Sequence, residues 1–400
     1  MAWFMKHSYT MTGLIMHTAG VALSLSTVIT IAGCHSTYSA MPSGRSMPVY
    51  AAAAAAADAV AFETVLVPTQ LVDEDPIDIA VHIARNDEAD HRLVFFHGVL
   101  SNHECWRYII GDLARDHELY LVDLPGCGDS DHPDPDAVTP PVYTLDNVAD
   151  RMLLTLRALP GFLNDERDVT LIGHSYGATL ALHMLGGDAF IERYEDVHER
   201  IASAFLLAPA DFDVYVPNPL MVRVSTVSDF EVWLADITGT LRETIARRER
   251  QAMADPHKAM REEVDARYDI IRNRAMRRAT QALLRDIASL DDDLLPDWDR
   301  IEGLVAGYAN VRVPVLIVFG ARDEVLPPAM GFKIAAYVPY ADVKIVPYCK
   351  HSVHVEYPEH CAELIRTYCH AGHVEGVADP DIPAHVRRTS PEDRRHSAHR

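Results

Sequence analysis

Short apolar runs recur along the middle of the chain, each bounded by turn residues and most followed by a stretch with helical spacing. They fall at 62–68, 77–84, 92–97, 119–124, 168–173, 202–208, 313–320 and 343–347. Several are apolar at consecutive positions, as in Leu93-Val94-Phe95-Phe96 and Val315-Leu316-Ile317-Val318-Phe319, which suits strands covered on both faces. Strands alternating with helices predict a mostly parallel, eight-stranded α/β sheet flanked by helices. The rhythm breaks between about 211 and 309, where strand patterns give way to amphipathic helical ones. The clearest covers 258–287, with Met260, Val264, Tyr268, Ile271, Met276, Ala279, Leu283 and Ile287 spaced three to five apart among charged residues. Such an insertion between two sheet strands predicts a helical cap over the strand ends, with the core in two parts, 62–210 and 310–375. The methionines and aromatics of the insertion read as packing.

The two ends of the chain read differently. Residues 13–32 carry no formal charge and follow Lys6, the pattern of an export signal over residues 1–33. The run ends in Ile31-Ala32-Gly33-Cys34, which resembles the lipobox of bacterial lipoproteins; that resemblance implies a diacylglycerol on the Cys34 thiol and a protein held to a membrane in the cell envelope. A simple secretory signal and a retained membrane helix remain the alternatives, and all three place the rest of the chain outside the cytoplasm. Residues 34–61, with Ser, Pro, Met and the alanines 51–57, lack any pattern to bury and read as a flexible tether. Residues 376–400 read as a disordered tail, polar, basic and interrupted by proline.

Charge narrows the function. With 58 acidic against 36 basic side chains and a net charge of −22, the chain is repelled by phosphate backbones, which argues against a nucleic-acid partner. Six scattered cysteines without a C-x-x-C pair make neither a disulfide scaffold nor a zinc site.

The strongest chemical signal is Gly173-His174-Ser175-Tyr176-Gly177, which follows the apolar run 169–172 and opens a helical pattern. A serine hydroxyl is a poor nucleophile unless it projects into a site and a base removes its proton; a tight strand-to-helix turn provides the projection. Glycine at 173 and 177 removes the side chains that such a turn would crush.

At these residues the chain resembles the α/β-hydrolase family, over roughly 62–372. A strand ending in His97-Gly98, followed by Val99, is similar to the family's oxyanion loop, and Leu119-Tyr-Leu-Val-Asp123-Leu-Pro125-Gly126-Cys127-Gly128 is similar to its Asp-x-Pro-Gly-x-Gly loop. The resemblance implies that the Val99 and Tyr176 amides form the oxyanion hole; one such donor is worth on the order of 3 kcal/mol. Asp123 reads as structural, and Trp106 as a core aromatic or a site residue. Val315 to Gly320 followed by Ala-Arg322-Asp323-Glu324 resembles the family's acid loop, with Asp323 as the acid and Glu324 as the alternative one residue on. In the region 343–359 the family spacing of histidine, glutamate five later and proline seven later selects His351, with Glu356 and Pro358, over His354. Lys350 stands where many relatives have glycine, which puts the loop backbone in doubt. His174 reads as packing or bonding locally.

A Ser175, Asp323, His351 triad implies an acyl-enzyme formed from an ester, thioester, amide or activated ketone, without metal or organic cofactor. A small-molecule carboxylic ester is the expected substrate. An acyltransferase, an amidase and a carbon–carbon hydrolase share the triad, and a catalytically silent binding protein shares the fold.

Overall fold

The strands of the computed structural model are β1 (Glu63–Thr69), β2 (Ile77–Ala84), β3 (His91–Phe96), β4 (Glu118–Val122), β5 (Asp168–His174), β6 (Ile201–Leu207), β7 (Val315–Gly320) and β8 (Ala341–Val346). The structure describes residues 38–72, 75–137, 141–212, 219–289, 296–375, 377, 379 and 380. The proposed export signal, Cys34 and nearly all of the basic tail lie outside them. The eight strands form one sheet in the order β1-β2-β4-β3-β5-β6-β7-β8. β2 is antiparallel to β1 and β4, and the other neighbours are parallel.

The consecutive apolar positions have the predicted cause. Along β3, Val94 and Phe96 enter one core layer while Leu93 and Phe95 enter the other, so neither face of the strand meets water. Strand order reverses at β3, and the chain leaves the carboxyl ends of β3 and β5 side by side, since Phe96 pairs with Gly173. An α/β sheet places its site at such a point. At the other half of the sheet Gly320 pairs with Val346, which brings the loops after β7 and β8 together.

The helices include α1 (Pro48–Asp58), α2 (Leu145–Ala158) and α3 (Tyr176–Gly186). Between β6 and β7 come α4 (Pro219–Thr226), α5 (Asp229–Ile237), α6 (Thr240–Ala252), α7 (Arg261–Arg272), α8 (Arg274–Ile287) and α9 (Trp298–Gly307), and after β8 comes α10 (Pro358–Ala371). The helical pattern over 258–287 is divided between two helices, α7 and α8. Asn273 stands between them with non-helical backbone, its side chain accepting hydrogen bonds from Ala275 N at 2.9 Å and Met276 N at 3.3 Å. The apolar spacing continues across the break, so periodicity alone conceals an N-cap. The cap is fastened to the core through Asp286, which accepts from Leu145 N at 2.7 Å and pairs with Arg300 at 2.7 Å.

The tether reading of 34–61 is corrected from residue 41 onward. Met41 is buried, and the alanines form α1 behind Pro48, a residue suited to the first helical turn. Tyr50 is buried and donates its hydroxyl to Val355 O at 2.8 Å. Gly44 N donates to the Glu262 carboxylate at 2.9 Å, and Arg261 N donates to Pro42 O at 3.0 Å, so the strap 41–44 is tied to the first turn of α7. No amphipathic pattern announces α1 because it packs by backbone approach rather than by large side chains. A methyl group on Gly111 would lie 2.4 Å from the carbonyl carbon of Ala56.

That contact predicts that Gly111→Ala lowers stability by about 1–3 kcal/mol, because α1 or the segment bearing Gly111 must shift. Gly303→Ala, in α9 with open space around its Cα, should instead raise it by up to about 1 kcal/mol. Urea unfolding midpoints of the two variants check the opposite signs.

Candidate functional site

Ser175 occupies the single-residue reversal between β5 and α3, at φ 53° and ψ −119°. A side chain is strained there, and two glycines make the turn sterically possible: a methyl group on Gly177 would sit 2.1 Å from Phe96 O, and one on Gly173 2.4 Å from the Ala178 Cα. Ser175 N donates to Leu207 O at 2.8 Å, which pins the turn to β6. Gly98 completes the approach, its missing Cβ falling 3.1 Å from the Ser175 Cβ.

The residues expected as acid and base, Asp323 and His351, meet across the ends of β7 and β8. His351 Nδ1 is 2.8 Å from Asp323 Oδ2, while Asp323 Oδ1 accepts from Val325 N at 2.8 Å and Leu326 N at 3.0 Å. The Asp323 carboxylate is enclosed, so with His351 donating from Nδ1 the lone pair of Nε2 is left for a substrate or nucleophile proton. Glu324 turns away: its side chain is 76% exposed and pairs with Lys350 Nζ at 2.9 Å. Among the described residues Ser175 Oγ forms no hydrogen bond with His351; the two are linked through His174, whose Nε2 donates to His351 O at 3.2 Å. Triad bonds of this kind commonly tighten only with substrate bound.

Of the two expected oxyanion donors, Tyr176 N opens α3, where no intrahelical acceptor exists. Val99 follows Gly98 and precedes Leu100, which is held at φ 56°. Neither amide donates to another group among the described residues. His97 sets the loop: its Nδ1 donates to Gly98 O at 2.8 Å and its Nε2 accepts from Leu124 N at 3.1 Å. Complete burial lowers the His97 pKa, so this neutral tautomer persists.

Asp123 is a structural hub. It accepts from His103 N at 2.7 Å, from His103 Nδ1 at 2.9 Å, from His82 Nε2 at 3.1 Å and from Asp129 N at 2.9 Å. Burial by itself would raise its pKa, but the hydrogen bonds from His103 and His82 outweigh it and hold the carboxyl well below its ordinary range. His82, His103 and Asp123 offer three donor atoms within 4.8 Å of one another, a set able to hold a divalent cation. Here the two imidazoles stack at 3.6 Å and share the carboxylate.

The ties that sequence reasoning missed lie behind the expected base, His351. Lys350 N donates to Glu356 Oε1 at 2.7 Å, and its ammonium reaches Gln251 O at 2.6 Å as well as Glu324, so one side chain joins the histidine loop, the acid loop and α6. Glu356 Oε2 accepts from Ala254 N at 2.7 Å, fastening the same loop to the chain after α6. The only signal for these ties was the departure from glycine at 350. Trp106 is fully buried, its ring 4.8 Å from that of His354, so it supports the histidines from beneath.

His354, three residues beyond the expected base, is buried. Its ring lies 4.5 Å from that of His174, and burial, then the neighbouring His351 and Arg267, lower its pKa from 6.5 to about 3. The unfolded imidazole takes a proton near pH 6.5 that the folded one refuses until about pH 3. Between those values the unfolded state binds more protons, so stability falls as pH falls, by up to about 1.4 kcal/mol per pH unit for one such group. His354→Leu should therefore lose less stability than the parent between pH 6 and pH 4, as read by urea midpoints; equal losses would refute the assignment.

The Alpha/beta hydrolase family model matches residues 93–364, a range that includes Ser175, Asp323 and His351. A cis-3-alkyl-4-alkyloxetan-2-one decarboxylase of Shewanella oneidensis is 24% identical over 278 residues, 67% of this chain and 78% of that protein. The 2-hydroxy-6-oxo-6-phenylhexa-2,4-dienoate hydrolase of Rhodococcus sp. strain RHA1 superposes with a TM-score of 0.59 at 17% identity, covering 78% of this chain and 100% of the other. An esterase of Rhodococcus sp. ECU1013 superposes at 0.56 with 19% identity, over 78% and 98%. These structural likenesses speak to the fold. With the family model spanning the core on both sides of the cap, the chain belongs to the alpha/beta hydrolase family.

Proposed function

We propose that the chain is a serine hydrolase that cleaves a carboxylic ester through an acyl-enzyme. The observation that carries this reading is the 2.8 Å bond between His351 Nδ1 and the enclosed Asp323 carboxylate, set beside a serine held in a strained elbow. Ser175 Oγ attacks the ester carbonyl as His351 Nε2 takes its proton, and the Val99 and Tyr176 amides receive the charge on the carbonyl oxygen. The proton passes to the departing alkoxide, which leaves as the alcohol. Water then adds to the acyl carbon, giving its proton to His351, and the carboxylic acid leaves as Ser175 recovers its hydrogen. Asp323 stays ionised throughout and steadies the imidazolium.

The export reading supplies the setting: a lipid on Cys34 would hold this chemistry at a membrane outside the cytoplasm. The described residues contain no helix long and apolar enough to cross a membrane.

Hydrolysis of p-nitrophenyl acyl esters tests the reaction. Ser175→Ala and His351→Ala should each lower turnover by about 10⁴-fold or more, and Asp323→Asn by a comparable factor, whereas Glu324→Gln should stay within a few-fold of the parent. Unchanged turnover in Ser175→Ala would sink the acyl-enzyme. Labelled palmitate incorporated by the parent but not by Cys34→Ser would establish the anchor; equal incorporation would place the lipid elsewhere.

A further inference from the structure

The cap helix α5 presents a bare apolar face. Phe230, Trp233 and Ile237 are 66%, 55% and 60% exposed, and their spacing of three and four puts them on one side of the helix, with Val232 buried on the other. The Phe230 and Trp233 rings lie 5.7 Å apart. This face is held in place. Ser228 and Glu231 close a capping box at its start, Asp229 pairs with Arg274 and Arg277, and Asp236 pairs with Arg272 and accepts from the Tyr268 hydroxyl. Two large aromatics and an isoleucine fixed in contact with water mark a surface with an apolar partner.

The entry of the chain says what that partner is. The strap 41–44 is tied to Arg261 and Glu262 in the first turn of α7. The same helix then carries Tyr268 and Arg272, the residues that grip α5 through Asp236. Cys34 stands seven residues before Met41, a reach of at most about 25 Å, and the length of α7 adds about 18 Å. A lipid on Cys34, as proposed above, would be joined to the cap by this short stretch of chain.

We propose that the Phe230, Trp233 and Ile237 face of α5 docks on the lipid surface that holds the anchor, seating these side chains at the headgroup and acyl boundary so that the site takes acyl esters drawn from that bilayer. This rests on the Cys34 anchor reading for its membrane and on the ester-hydrolase reading for its substrate. The contact is apolar rather than electrostatic, because a chain of net charge −22 gains nothing from anionic headgroups.

The full chain is reconstituted in vesicles of phosphatidylcholine, alone or mixed with phosphatidylglycerol, and quenched with brominated-acyl phosphatidylcholine. The parent should show a quenched tryptophan component that Trp233→Phe lacks, no stronger in the anionic mixture. A variant with Phe230, Trp233 and Ile237 all changed to Ser should turn over soluble p-nitrophenyl butyrate as the parent does, yet hydrolyse a long-chain ester embedded in the vesicles at least about tenfold more slowly. Equal quenching in parent and Trp233→Phe, or an unchanged rate on the embedded ester, overturns the docking. So does a dimer in detergent that the triple variant abolishes, since the face then belongs to a second copy. Absence of turnover on the soluble ester strikes the hydrolase reading instead, and the quenching comparison alone then decides the docking.

Discussion

A hydroxyl can be displayed at the end of a fully buried strand only if the backbone reverses within one residue. That constraint organises this molecule. The reversal at Ser175 holds a non-glycine residue at positive φ and presses the Gly177 Cα against the carbonyl of Phe96 at the end of β3. β3 and β5 must therefore be neighbours in register, the loop after β3 must carry Gly98 at its closest point to the serine, and the amide after the serine must open a helix. The sheet order, the oxyanion loop and the placement of α3 all answer to one crowded turn. The strain is of the kind that a packed surround can sustain at about 1–3 kcal/mol, and the strands here are buried on both faces.

The proposed base is held by a different principle. His351 is positioned by its own contacts, with Asp323 in front and His174 on its carbonyl, and by the bond between Lys350 N and Glu356 behind it. Charges that would be costly alone are each given a partner from another loop. The Lys350 stem carries its ammonium outward to Gln251 and Glu324.

Much of this was legible in the sequence, for identifiable reasons. Strands covered on both faces leave unbroken apolar runs, and β3 and β7 stand out for that reason. The elbow was legible because steric exclusion permits so few residues at 173 and 177. What escaped notice were interactions that leave no hydrophobic trace. α1 packs alanine backbone against Gly111, so its seven alanines look like spacer. The division of α7 from α8 turns on one side chain, Asn273, within an uninterrupted apolar rhythm. The ties made by Lys350 and Glu356 join residues about a hundred positions apart, and no local pattern records them.

The strap and α1 also impose an order on folding. Gly44 finds its partner 218 residues later and Tyr50 finds its partner 305 residues later. A segment made early in synthesis thus waits for nearly the whole chain before it can dock, and loop closures of that length come late. The contact of α1 with Gly111 needs only the next fifty or so residues, whereas the ties of Gly44 and Tyr50 wait for α7 and for the loop after β8. The ties at Gly44 and Tyr50 thus close only after the segments bearing Glu262 and Val355 are in place.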